Sequence, residues 1–193
     1  RGQISPLVSS SLRAVSFVLL PLFLAIALFS GDAIELLFGS EYKGSGIVAY
    51  LMVTACYFVS LAAILEAAIT GLGRMWVGLG LNTIWAAVFG LTMSVLIPLY
   101  GPTGLGIAYV ASYGVHAVNV IIVSNWVLGL KTENVMVVVI MSSAILTSGS
   151  LLLMTWIGSS VLIRLALLAI VTGLMVFLGR AEYRAILRRV CQR

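Results

Sequence analysis

Four side chains that could do chemistry stand inside long apolar runs: Glu66, Asn82, His116 and Asn119. A fifth, Arg74, stands at the edge of two such runs. An ionisable group at such a depth in a membrane faces a bundle interior or a water-filled cavity, and marks ion or substrate pathways. Glu66 is the only acidic residue within any run. It lies five residues before Gly71, about 7.5 Å of helix at 1.5 Å per residue. There it could reach a wet cavity, accept a proton, or pair with Arg74 or with a helix outside this sequence. Simple interfacial placement stays open, because an acidic residue costs about 2.5–3.5 kcal/mol at mid-span and less toward the edge, but as the one acidic residue within a span Glu66 is the first functional candidate. His116 follows Gly104 by twelve residues, about 18 Å of helix, close to the middle of a hydrocarbon layer of about 30 Å. It reads either as a titrating member of a proton relay or as a neutral imidazole bonded to a neighbouring helix.

Asn82 and His116 also belong to two periodic stripes. Gly78, Asn82, Ala86, Gly90 and Ser94 recur every four residues, as do Gly104, Ala108, Ser112 and His116, with Asn119 following on the same side. Small residues let helix backbones approach closely in lipid, so the glycines and alanines read as packing positions. The polar members remain candidates for a cavity or for ion coupling. Arg164, three residues inside the last run, can snorkel to the surface and reads as structural.

Other chemistry is not expected. Gly71-Leu72-Gly73 and Gly78-Leu79-Gly80 do not join a strand to a helix, as a nucleotide loop would. One His and two distant Cys make no metal set, and no His/acid pair stands beside a nucleophile in a triad. The chain therefore reads as a non-enzyme without a cofactor, open to coupling with protons or sodium ions.

The elements that position these residues are membrane helices. The chain is 62% hydrophobic and 9% charged, with mean hydropathy +1.18, against roughly 25% charged residues in a soluble domain. Spans are expected at about 13–31, 47–71, 75–97, 105–129, 135–155 and 161–179, after a cytoplasmic lead-in over 1–12 and before a basic tail over 180–193. The spans must be helical, since unpaired backbone is not tolerated facing lipid, and the alternating segments of a β-barrel are missing. Pro98 to Gly104, with two prolines and two glycines in seven residues, reads as a tight turn between the third and fourth spans.

Basic residues fix the expected orientation. Arg1, Arg13, Arg74, Lys131 and the tail residues Arg180, Arg184, Arg188, Arg189 and Arg193 fall on one side, nine against Lys43 and Arg164 on the other. The positive-inside rule then places both termini in the cytoplasm. Trp76, Tyr100, Trp126 and Trp156 fall near span ends, where amphipathic rings prefer to sit. The tail suits either a short helix on the anionic leaflet or a frayed basic anchor. With no initiator Met and no signal-peptide pattern after Arg1, the sequence reads as a piece of a longer chain.

The order of local features carries a resemblance. Ser11-Leu12-Arg13 leads into Pro21 at mid-span, and Leu36-Leu37-Phe38-Gly39-Ser40-Glu41-Tyr42 follows. Thr70-Gly71-Leu72-Gly73-Arg74 comes after the second span, and Ile97-Pro98-Leu99-Tyr100-Gly101-Pro102-Thr103-Gly104 after the third. Over roughly 11–129 this series resembles the C-terminal part of the polysaccharide biosynthesis proteins, the O-antigen and lipid-linked oligosaccharide flippases of the multidrug/oligosaccharidyl-lipid/polysaccharide exporter superfamily. The resemblance implies an all-α membrane protein forming the last six of about fourteen helices of a MATE-like two-lobe exporter, with its N-terminal lobe missing here. It implies a bacterial inner-membrane protein that moves undecaprenyl-diphosphate-linked oligosaccharide from the cytoplasmic to the outer leaflet by alternating access. Arg74 would then stand at the substrate mouth. The other partners implied are the lipid bilayer and a glycan polymerase or glycosyltransferases; no nucleic acid is expected. Two alternatives stay open: an ion-coupled multidrug antiporter of the same superfamily, and a non-transporting scaffold subunit of a glycan-assembly complex.

Overall fold

The computed structural model describes residues 4–129 and, further along, 161–166, 168–170 and 172–173. Almost every described residue is helical. The elements are α1 (Ile4–Leu28), α2 (Ser30–Phe38), a 3-10 segment (Ser40–Ser45), α3 (Gly46–Gly71), α4 (Met75–Tyr100) and α5 (Pro102–Leu128). An apolar helical stretch, Val161–Ile170, follows. Among the described residues four segments are long and apolar enough to cross a membrane: Pro6–Leu28, Ser40–Gly71, Met75–Tyr100 and Pro102–Val127. The span expected at 135–155 and the tail at 180–193 lie outside the described residues, and that at 161–179 is described only in its first part.

α3 is the central helix. Tyr50, Thr54, Tyr57, Leu61, Leu65 and Ile69 are buried at steps of three and four, so one face of its 3.6-residue period is filled from end to end. α1 meets that face with Leu12, Leu20 and Leu24, and α5 with Val120 and Ile121. Phe23 of α1 stands edge-on to Tyr57, centroids 5.8 Å apart. α5 packs along both α3 and α4, whereas α3 and α4 touch each other little. α4 is consequently an outer helix, with only Leu81 buried. Its Leu79, Leu91 and Val95 stand exposed, as Ile107, Val118 and Ile122 do on α5. Apolar surface on this scale suits contact with a membrane or with another protein. Trp76, Tyr100 and Trp126 are exposed near helix ends, where a membrane interface would take them.

Two junctions differ from the sequence-based expectation. The α4–α5 turn is far tighter than seven residues: α4 runs through Pro98 to Tyr100 and α5 starts at Pro102, leaving Gly101 alone between them. A proline one turn before a helix end forfeits only one backbone bond, and a proline at the first helical position forfeits none. Gly101 takes φ +58, a conformation that side-chain-bearing residues rarely adopt. Second, the expected loop after the first span is mostly helix. α2 begins at Ser30 directly after Phe29, and Asp32 in its first turn suits the positive end of the helix dipole. Helix also begins earlier than the first span was expected to, at Ile4.

Candidate functional site

Three of the polar residues read from the sequence meet at one point. Glu66 lies in the last turns of α3, Asn82 in the early turns of α4, and His116 in the second half of α5. The close turn between α3 and α4 brings the first two together, and α5 lies along both helices. His116 Nε2 is 3.0 Å from Glu66 Oε1, and Asn82 Nδ2 donates to the same oxygen at 3.4 Å. Asn82 Nδ2 also donates to the Gly78 carbonyl at 3.0 Å, which ties the amide to its own helix. His116 is buried, with 4% of its side chain exposed, while Glu66 keeps 25%. The carboxylate is thus reachable and the imidazole is not.

The contact has two chemical forms. With a neutral imidazole, the Nε2–H donates to the carboxylate; with a charged one, the contact becomes an ion pair. His116 Nδ1 is buried and has no hydrogen-bond partner among the described residues. Loss of Glu66 would leave the buried His116 imidazole with its desolvation cost and no partner at Nε2.

Of the pairings open to Glu66, that with Arg74 is not the one formed. Arg74 sits exposed in the α3–α4 turn, where its backbone N–H donates to the Ile69 carbonyl at 3.2 Å. Asn119 does not follow His116 into the α3–α4–α5 junction. A three-residue step turns a helix by about 300° and not a full turn, and this carries Asn119 to a groove of about 390 Å³ with Phe58, Gly114 and Val118. The stripe Gly104, Ala108, Ser112 and His116 is buried throughout. On α4, by contrast, Asn82, Ala86, Gly90 and Ser94 are exposed, so the two stripes have different surroundings.

Two further features were not read from the sequence. Trp85 and Phe89 of α4 stack at 5.6 Å, and Tyr109 and Tyr113 of α5 lie against them at 4.6 and 4.9 Å, forming one aromatic run that ends edge-on at His116. The signal was available as two aromatic pairs at i, i+4 on helices joined by a tight turn. The second feature is Arg164, read only as a snorkelling residue. Its guanidinium pairs with Asp32, donates to the Leu28 carbonyl at 3.2 Å and lies 5.9 Å from the Phe29 ring centre. It borders a cavity of about 320 Å³ with Lys43, which itself pairs with Glu35 at 2.8 Å. Among the described residues no group of His, Cys, Asp and Glu could hold a metal ion. No family model, curated protein or solved structure matches the chain.

Proposed function

We propose that the chain works in proton-coupled membrane export, with Glu66, His116 and Asn82 as the joint that links protonation to the positions of α3, α4 and α5. The observation that carries this reading is the 3.0 Å contact between the half-open Glu66 carboxylate and the buried His116 imidazole, inside a bundle of membrane-length apolar helices. An acid–base pair at that place changes its charge with one proton, and an interhelical bond that changes with charge biases one helix arrangement over another. The cargo reading, an undecaprenyl-diphosphate-linked oligosaccharide moved to the outer leaflet, is supported by the motif series over 11–129. Arg74, exposed at the α3–α4 turn, is suited to meet a diphosphate there.

The test is vesicle reconstitution of the intact protein with a fluorescent polyprenyl-diphosphate oligosaccharide and an imposed pH gradient. Gradient-dependent appearance of the label in the opposite leaflet is expected, reduced in Glu66→Gln and His116→Ala while both variants still insert. Full activity in both variants would remove the joint from the mechanism.

One observation favours a non-transporting scaffold instead. The α5 stripe from Gly104 to His116 is closed against its neighbours, which suits a fixed framework as well as a moving one. Gradient-independent behaviour and no label movement in the same vesicles would select that reading.

A further inference from the structure

The cavity of about 320 Å³ beside Arg164 lies where α1 meets α2 and where the 3-10 segment meets α3. Its lining carries two cations, Lys43 and Arg164, and one carboxylate, Asp32; the other side chains on it are Leu28 and Ile47, and the rest is glycine. Gly46 packs so closely on Gly31 that an added methyl would stand 2.6 Å from the Gly31 Cα, so backbone alone closes that part of the wall. Lys43 is exposed over 66% of its side chain and Asp32 over 50%, which leaves the mouth open. The three charged groups keep bonding capacity. Among the described residues Lys43 pairs once, with Glu35, Arg164 bonds through Nη1 alone, and Asp32 accepts at Oδ2 alone. The mouth also stands at a membrane boundary. Leu28 ends one membrane-length helical stretch and Ile47 stands near the start of another. One turn along α2 from Asp32, Leu36 is 86% exposed, and Leu37 and Phe38 after it are exposed as well.

The geometry points to a binding site for the zwitterionic headgroup of a membrane phospholipid, a phosphoethanolamine, with its phosphate toward Lys43 and Arg164 and its ammonium toward Asp32. Basic pockets between membrane helices are suited to lipid phosphates, and the spare N–H groups of an ammonium and a guanidinium form charge-assisted bonds with phosphate oxygens. The carboxylate selects among headgroups. A primary ammonium donates to it, a quaternary ammonium has no N–H to give, and a glycerol headgroup brings no positive charge. A diphosphate would set further negative charge beside Asp32, so the lining disfavours it. The bare side chains of Leu36, Leu37 and Phe38 argue for a lipid source, because they offer the acyl chains of the same molecule an apolar surface next to its headgroup. The site requires that the helices span a membrane and is independent of the export reading.

Native mass spectrometry of the full chain in detergent, titrated with phosphatidylethanolamine, tests the site. Phosphatidylglycerol, phosphatidylcholine, free phosphoethanolamine and a polyprenyl diphosphate are the comparisons. The ethanolamine lipid is expected to bind tightest. Lys43→Gln should weaken it about tenfold, the scale of one lost hydrogen bond to a charged group. Asp32→Asn should weaken it by a similar factor and abolish its advantage over phosphatidylglycerol. Glu35→Gln breaks the same ion pair as Lys43→Gln but leaves the ammonium in place, so binding should be kept or tightened. The site is refuted if the ethanolamine lipid binds no tighter than the glycerol lipid, or if Lys43→Gln or Asp32→Asn binds it like the parent. Equal weakening by Glu35→Gln and Lys43→Gln would refute it too, since the ion pair and not the headgroup contact would then matter. Tighter, Lys43-dependent binding of the polyprenyl diphosphate would overturn the choice of headgroup. Free phosphoethanolamine bound as tightly as the lipid would overturn the membrane as its source.

Discussion

Gly104 presses its backbone against Leu96: a methyl group at Gly104 would sit 2.0 Å from the Leu96 carbonyl oxygen. The contact lies just past the Gly101 turn, at the head of the α5 stripe that ends in His116. It sets how closely α4 and α5 run together, and hence whether Asn82 and His116 can share one carboxylate oxygen. Gly104→Ala should lower stability by about 1–3 kcal/mol, the range for overpacking a close contact. Thermal unfolding of the purified protein would show it, whereas Gly90→Ala, with nothing within 4 Å of the added methyl, should unfold like the parent. Equal unfolding of all three proteins would remove the contact from any role in holding the seam.

The Glu66–His116 bond makes a different prediction. His116→Ala leaves the carboxylate with Asn82 alone and should destabilise by about 1.5–3 kcal/mol, the scale of a hydrogen bond to a charged group. Glu66→Gln keeps an acceptor and adds a donor at the same place, so it should cost less. Removing both side chains should cost less than the sum of the two single Ala substitutions, because the second removal takes away an already unpaired group. Additive costs in a denaturation cycle would mean that the two residues do not interact.

The polar members of this junction were legible in the sequence one by one, and their meeting was not. Glu66 and Asn82 are 16 residues apart and Glu66 and His116 are 50 apart, and no local pattern specifies which faces of three helices turn inward. Spacing alone also placed Asn119 beside His116, because a stripe counted in fours does not register the rotation of a three-residue step. The aromatic run was visible as pairs at i, i+4, but such pairs on apolar helices look the same whether they fill a core or line a seam. α2 was hidden for another reason. Asp32 and Glu35 break the apolar pattern, and charge is a poor guide to helix ends where a short helix leaves its polar face open.

Orientation can be tested directly. In a chain freed of Cys56 and Cys191, a cysteine replacing Arg74 should react with a membrane-impermeant maleimide only from the cytoplasmic side, and one replacing Ser40 only from the opposite side. The basis is the nine-to-two distribution of basic residues. Labelling in the reverse sense would invert the topology and move the Glu66 end of α3 to the outer face.

Arg164 separates charge from hydrogen bonding. Its partner Asp32 has half of its side chain exposed, and an exposed ion pair contributes only about 0.2–1 kcal/mol. Asp32→Asn should therefore destabilise little. Arg164→Ala removes more: the bond to the Leu28 carbonyl, left without an intrahelical partner at the end of α1, and the contact with the Phe29 ring. A cost of about 1.5–3 kcal/mol is expected for that residue, on the scale of a charge-assisted hydrogen bond. The charge swap Asp32→Arg with Arg164→Asp should fail to restore stability, since an aspartate at 164 cannot donate to the Leu28 carbonyl. Thermal unfolding at low and high salt distinguishes the two contributions: salt should weaken the Asp32 effect and leave most of the Arg164 effect in place. Full rescue by the swap would show that Arg164 acts through its charge alone.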